Sequence, residues 1–318
     1  MPPSAVVLGE ALIDLLEQPD GTFRPAVGGA PLNVAVGLAR LGTPARLVTA
    51  LGSDTFADRV RDLLASAGVD RHGLLRVSGP SPLAVATFSG AEPGFAFYGD
   101  PPAYAHVRPA DVDLAAVAAA TAVYAGSIAL LSEFVDAARA AWAVPGPLRF
   151  FDPNLRPFTL TAPGAADRAR AVVEEFAATA DLVKLSDVDA ELLYGRIPPT
   201  AAALRLRSLG ARRIVVTLGA AGAILVGPDR GLRPVELVDT AIHRTDAVVG
   251  LPAHPGPVVD TTGCGDAVAA ALIHRLVGGL ETEQDWIAAV EFALRVASFV
   301  AARPGGAVAM PSVTDLAA

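Results

Sequence analysis

The sequence predicts an α/β fold, a mostly parallel sheet flanked by helices, with a small β-sheet lid beside it. Three observations carry that expectation. Short, apolar, β-branched runs recur at residues 4–8, 46–51, 122–125, 148–151, 182–185 and 213–218, and a strand buried on both faces reads as such a run. Helical spacing fills most of the gaps between them, at 31–41, 54–67, 114–120, 133–142, 166–178 and 200–209, the alternation that covers a parallel sheet on both faces. Two further stretches, 12–25 and 83–98, alternate apolar with polar or small residues and carry Gly21, Gly90 and Gly94 but no helix, as paired half-exposed strands do.

The elements follow from their residues in order. Residues 4–8 end at Gly9, which closes a buried first strand. In 31–41, Leu32, Ala35, Val36 and Ala39 recur at helical spacing; Pro31 suits a helix start and Gly42 a helix stop. Gly68 ends the second helix in the same way. Residues 114–132 carry no charge, yet they are mostly alanine, contain Gly126 and Ser127 and lack basic flanks, so a buried helix followed by a buried strand is expected rather than a membrane span. Residues 266–303 read as two helices parted near Gly278 and Gly279. The expected organisation is one domain over 1–318, with the lid inserted as segments 12–25 and 83–108.

Composition bounds the function. The 318 residues are 52% hydrophobic and 18% charged, with a mean hydropathy of +0.45, too apolar for a disordered chain. A net charge of −8 gives no positive field for a phosphate backbone, so nucleic acid is not an expected partner and a small molecule is. Cys264 is the one cysteine, which excludes an internal disulfide or a Cys-x-x-Cys metal site and fits a reducing, cytoplasmic setting. The first ten residues lack a basic segment and reach Glu10, with Asp14 soon after, unlike a signal peptide. His72, His106, His243, His254 and His274 form no metal-binding pair. Lys184, the one lysine, follows no glycine loop, and the dinucleotide and nucleophile-elbow motifs are missing.

Two glycine-bearing stretches carry the chemistry. In Asp260-Thr261-Thr262-Gly263-Cys264-Gly265-Asp266, Gly263 and Gly265 precede an apolar helix. A loop of this kind turns amide N–H groups outward beside the positive helix end and holds an anion such as phosphate. Asp266, next to that anion, suits a base that takes a proton from an attacking hydroxyl; the same residues also suit a tight turn with a helix-start acid. In Gly28-Gly29-Ala30-Pro31-Leu32-Asn33, paired glycines allow close approach to the backbone and Asn33 offers both a donor and an acceptor to a polyol. A plain turn and helix start would look similar.

Together with Gly9-Glu10-Ala11-Leu12-Ile13-Asp14, Gly126-Ser127-Ile128, Asp152-Pro153-Asn154-Leu155-Arg156-Pro157 and Val216-Thr217-Leu218-Gly219 with Gly222, these stretches occur in the order of the ribokinase-like, PfkB-type carbohydrate kinases. The chain resembles that family over nearly its whole length, and within it most the bacterial fructokinases. The resemblance implies a Rossmann-like domain with a β lid and ATP-dependent phosphorylation of a sugar hydroxymethyl group. Asp266 would be the catalytic base, and the amides of Gly263, Cys264 and Gly265 the anion hole. Asp14, Gly28, Gly29 and Asn33 would hold the sugar, and Asn154 and Arg156 would lie near phosphates or sugar; Arg156 also suits a surface ion pair. Lys184, Thr217, Gly219 and Gly222 would line the nucleotide. Mg²⁺ would accompany ATP, and a monovalent cation such as K⁺ would sit by Asp260, Thr262 and the 303–306 loop.

Relatives dimerise through their lids, and Phe88, Phe95 and Phe97 would give this lid an apolar face, so a homodimer is expected. The sequence departs from the family at four places. Cys264 replaces alanine, a swap between small side chains that the position tolerates; the other reading is a thiol acidified at the helix start and oxidisable. Ser186 and Asp189 replace the Asn and Glu placed near Mg²⁺ and phosphate, and no arginine follows Tyr98. A 2-keto-3-deoxygluconate kinase, an aminoimidazole riboside kinase, or a non-catalytic sugar or nucleotide sensor remain alternatives.

Overall fold

The computed structural model describes residues 4–18, 20–89, 92–227 and 248–317; Gly90 and His243, and the side chains of Phe88 and Phe95, lie outside the described residues. The chain opens with β1 (Ala5–Leu8), pairs β2 (Leu12–Glu17) with β3 (Phe23–Gly28), and continues through α1 (Ala30–Arg40), β4 (Ala45–Leu51), α2 (Thr55–Ser66) and β5 (Leu74–Arg76). A second antiparallel pair, β6 (Leu83–Ser89) and β7 (Glu92–Tyr98), precedes α3 (Leu114–Ala119), β8 (Ala122–Gly126), α4 (Phe134–Trp142), β9 (Leu148–Asp152) and α5 (Ala165–Ala177). Then come β10 (Leu182–Ser186), α6 (Asp187–Tyr194), α7 (Pro199–Ser208), β11 (Ile214–Thr217), β12 (Ala223–Val226), β13 (Val248–Leu251), α8 (Cys264–Val277), α9 (Glu283–Ala301) and α10 (Val313–Ala317).

The large sheet has the order β13-β12-β11-β10-β9-β8-β1-β4-β5. It is parallel from β11 to β5, and β12 and β13 add an antiparallel edge. That edge departs from the alternation the sequence suggests, because the tight turn at Gly219–Ala221 leaves no room for a crossover helix between β11 and β12. Two cores sandwich the sheet. One joins Val7, Leu47 and Val215 to α1, α8 and α9; the other joins Val6, Val123 and Val183 to α4, α5 and α7. In the second, Phe151 stacks on Phe176 at 5.5 Å and Trp142 tilts over Phe176 at 5.2 Å, each ring burying a large apolar area.

The small sheet runs β3-β2-β6-β7, two antiparallel pairs joined by the parallel pair β2 and β6. Its second segment ends earlier than residue 108: Tyr104, Ala105 and Val107 are buried with Val6, Leu8 and Val48 in the main body. Ala103, Tyr104, Ala105 and Val107 are buried, and their segment packs against β4. Phe97 of β7 stacks at 5.3 Å on Phe158, just beyond the end of β9, so the lid rests on the carboxyl edge of the large sheet. Ligands of open parallel sheets bind at that edge.

Candidate active site

Asp266 sits in the first turn of α8, 6% exposed, and its carboxylate is held from two sides. The Asn33 amide in α1 donates to Oδ2 at 2.7 Å, and the Asn154 amide, just past β9, donates to Oδ1 at 3.0 Å. Asn33 Oδ1, at the far end of that amide, is buried and without a hydrogen-bond partner among the described residues, an acceptor open to a ligand donor. Asn154 adopts φ 41, and its Oδ1 accepts from the Arg156 guanidinium, which also caps the Leu155 carbonyl at 3.1 Å. Arg156 is exposed and coils over its own loop, while its charge acts on the Asp14 carboxylate.

The loop before α8 is built by Asp260, whose Oδ1 accepts from the Thr262 amide at 2.8 Å and whose Oδ2 accepts from the Gly305 amide at 3.0 Å. These bonds hold its carboxyl below the usual range against the opposing effect of burial. They also bring together Asp260, Thr262 and the 303–306 loop. Gly263 caps α8 with φ 81, and a Cβ there would meet Gly306 Cα at 2.8 Å; both the backbone angle and the space require glycine. Helix geometry leaves the amides of Gly265 and Asp266 without an intrahelical acceptor. The Cys264 amide, expected beside them, already donates to the Thr261 carbonyl at 3.2 Å, a turn bond that removes it from the free donors.

Burial decides the setting of two more of these residues. The Cys264 thiol faces the Ala297 carbonyl of α9, and burial with the nearby Asp260 and Asp266 carboxylates pushes it up to about 11, the opposite of acidification. Lys184, expected along the nucleotide, is 2% exposed, and its ammonium lies 3.0 Å from Asp152, close to Gly265 at the α8 start. Asp189 is spent structurally. Its Oδ1 accepts from the Leu155 amide at 2.7 Å and its Oδ2 from Ser186 in the α6 capping box.

On the lid side, Asp14 of β2 lies half-buried over Gly28, where a Cβ would come within 2.1 Å of its Oδ2. Burial pushes Asp14 up to about 6, Arg156 opposes this, and Asp266 adds to it. Gly29 has φ 107, and a Cβ there would press on the Glu10 carbonyl at 2.6 Å. Glu10 itself, buried and unassigned by the motif reading, accepts from Ser127 Oγ at 2.6 Å and the Ala129 amide at 3.2 Å. It thereby fixes Ser127 at φ 65 in the turn after β8. A carboxylate directly after the first strand's terminal glycine is the only signal of this in the sequence. Thr217 and Gly219 mark the end of β11, and Gly222 (φ 95) is required where a Cβ would strike the Leu251 carbonyl at 2.0 Å.

Residues 3–313 match the pfkB family of carbohydrate kinases. The chain belongs to that family. It is 30% identical over 328 residues to the probable fructokinase-2 of Arabidopsis thaliana, covering 96% of this chain and 92% of the relative. A fructokinase of Klebsiella pneumoniae is 32% identical over 274 residues, 84% of this chain and 82% of its own length. The fold superposes on a crystal structure of a fructokinase with bound ATP from Xylella fastidiosa with a TM-score of 0.83 at 26% identity, covering 100% of this chain and 98% of that one. As a PfkB-family enzyme the protein is a phosphotransferase acting on a sugar alcohol group, which removes the sensor reading. Among the described residues, no helix is long and apolar enough to cross a membrane.

Proposed function

We propose that the protein transfers the γ-phosphoryl group of ATP to the hydroxymethyl group of D-fructose, giving fructose 6-phosphate. The observation that carries this reading is the Asp266 carboxylate, aligned by Asn33 and Asn154 in the first turn of α8. The fructokinase names of relatives matched along most of the chain support the choice of sugar. Asp14 accepts two sugar hydroxyls in charge-assisted bonds, Gly28 and Gly29 let the ring approach the backbone, and Asn33 Oδ1 accepts a third hydroxyl. Asp266 takes the proton of the attacking hydroxyl as the new O–P bond forms and the bond to ADP breaks. Negative charge growing on the phosphoryl oxygens meets the amides of Gly263 and Gly265, joined by that of Asp266, and the positive end of α8.

Thr217, Gly219 and Gly222 flank the nucleotide. Mg²⁺ would enter with ATP, taking most of its ligands from phosphates and water. When bound with ATP it neutralises phosphate charge. Asp260 and Thr262, with carbonyls of the 303–306 loop, would hold K⁺. Phe97, expected on an exposed apolar face, stacks instead on Phe158; the lid exposes Phe23 at 44% and Tyr98 at 57% on its two outer strands, and we assign a homodimer to the lid and a cytoplasmic setting to the enzyme. Sugar-dependent ADP release, measured over ketoses, pentoses, nucleosides and sugar acids, tests the activity. Fructose should give the highest kcat/KM, and ADP release stimulated by none of them overturns the reading.

A further inference from the structure

Behind the anion loop lies a buried ion pair that the reaction steps above do not use. Asp152 ends β9 at 0% exposure and Lys184 lies in β10 at 2%. The ammonium reaches both carboxylate oxygens, at 3.0 and 3.3 Å. On its other side it meets the first turn of α8, since a Cβ placed on Gly265 would stand 3.1 Å from Nζ. Lys184 is thus clamped between a carboxylate fixed in the sheet and the backbone of Gly265. Burial disfavours charge on both partners and pushes Asp152 up to about 7, while Asp152, Asp189 and Asp266 favour the ammonium and hold Lys184 above its ordinary value.

A pair of this kind is a poor stabilising device, because the desolvation of both ions offsets most of their attraction, and a neutral pair of similar shape serves the fold as well. Its position says more than its stability does. A helix start supplies about half a positive charge from its aligned amides, and here a buried ammonium stands next to the Gly265 backbone in that first turn. Asp152 fixes where that charge stands, which Lys184's flexible stem would not do alone.

We infer that Lys184, aimed by Asp152, is a positioning residue that reinforces the anion hole through the Gly265 backbone, without touching the phosphoryl group. The inference rests on the kinase reading and deepens it. A side chain at 265 would crowd the ammonium, since its Cβ alone would stand 3.1 Å from Nζ.

The test separates charge from packing. Lys184→Met alone leaves Asp152 buried and unpaired, and loss of fold there would explain any loss of rate. The double variant Lys184→Gln with Asp152→Asn replaces the ion pair by a neutral hydrogen-bonded pair. It should keep the wild-type melting temperature within a few degrees and keep the KM for sugar, while kcat falls about 10- to 100-fold. Affinity for ADP with aluminium fluoride and sugar, which mimics the transferring phosphoryl group, should fall by the same factor, and affinity for ADP alone should hold. A double variant with kcat and aluminium fluoride affinity within twofold of wild type overturns the inference and leaves the pair as a fold element. Wild-type protein without turnover on any sugar would instead overturn the kinase reading, a separate result.

Discussion

Asn154 Nδ2 lies 3.0 Å from Asp266 Oδ1 although 112 residues separate them, and the other end of the same amide accepts from Arg156. The amide cannot flip without placing its oxygen against the carboxylate and its NH₂ against the guanidinium. Asp266 is therefore presented in one rotamer with Oδ1 and Oδ2 each committed to an amide donor, and proton transfer uses the remaining lone pairs. Exchanging the carboxylate for a carboxamide puts an NH₂ group against one of those amides and removes the base. Asp266→Asn should lower kcat by about 10³- to 10⁵-fold, while calorimetry shows ADP binding within a few-fold of wild type. Unchanged turnover would remove Asp266 from the role of base.

Asn154→Ala removes the grip on Oδ1 and frees Arg156, but leaves Asn33 in place. Loss of one charge-assisted hydrogen bond to a group that must be aligned predicts a fall in kcat of about 10- to 100-fold. The KM for ATP should stay within about threefold, because the anion loop is not touched. Steady-state kinetics with each substrate varied in turn reads the split.

The pH dependence has a sign that acid unfolding does not share. Burial raises Asp14 from about 3.8 to about 6, so its carboxyl becomes neutral as pH falls through 6 and loses one of the charged acceptors proposed for sugar hydroxyls. The KM for sugar should rise several-fold between pH 7 and 5. A carboxyl raised in the folded state binds its proton more tightly there than in the unfolded chain, so this group adds stability as pH falls through the same window. KM rising while the melting temperature, followed by circular dichroism, holds or gains through Asp14 is the expected pattern; Asp14→Asn should carry the high KM at every pH.

Much of this is legible in the sequence for physical reasons. The buried parallel strands read as apolar runs because both faces are covered, and the Gly263 turn reads as an anion loop because its conformation admits no other residue. The juxtaposition of Asn33 and Asp266 follows only from the order of motifs, since nothing local in α1 specifies that its Asn33 reaches α8. What is not legible depends on neighbours across the sheet. Lys184 and Asp152 lie on adjacent strands, one register step beyond the pairing of Val183 with Phe151, and no spacing within either strand announces an ion pair. The choice between the two readings of Cys264 also depends on neighbours: the helix start favours a thiolate, but the rotamer that turns Sγ towards Ala297 buries it near two carboxylates, and burial wins.

That outcome predicts an inert thiol. With its proton held to about 11, Cys264 carries a small thiolate fraction at pH 8, well below that of a free cysteine with an ordinary value near 8.5. Ellman's reagent should therefore modify the folded protein at least about 100-fold more slowly than the protein unfolded in guanidinium chloride, and millimolar peroxide should leave activity unchanged over an hour. Fast labelling of the folded protein, with parallel loss of activity, would place the thiol in contact with solvent and restore the oxidation-sensitive reading of this loop. Cys264→Ala gives the control, because a methyl group occupies part of the same apolar space and should retain activity within about twofold.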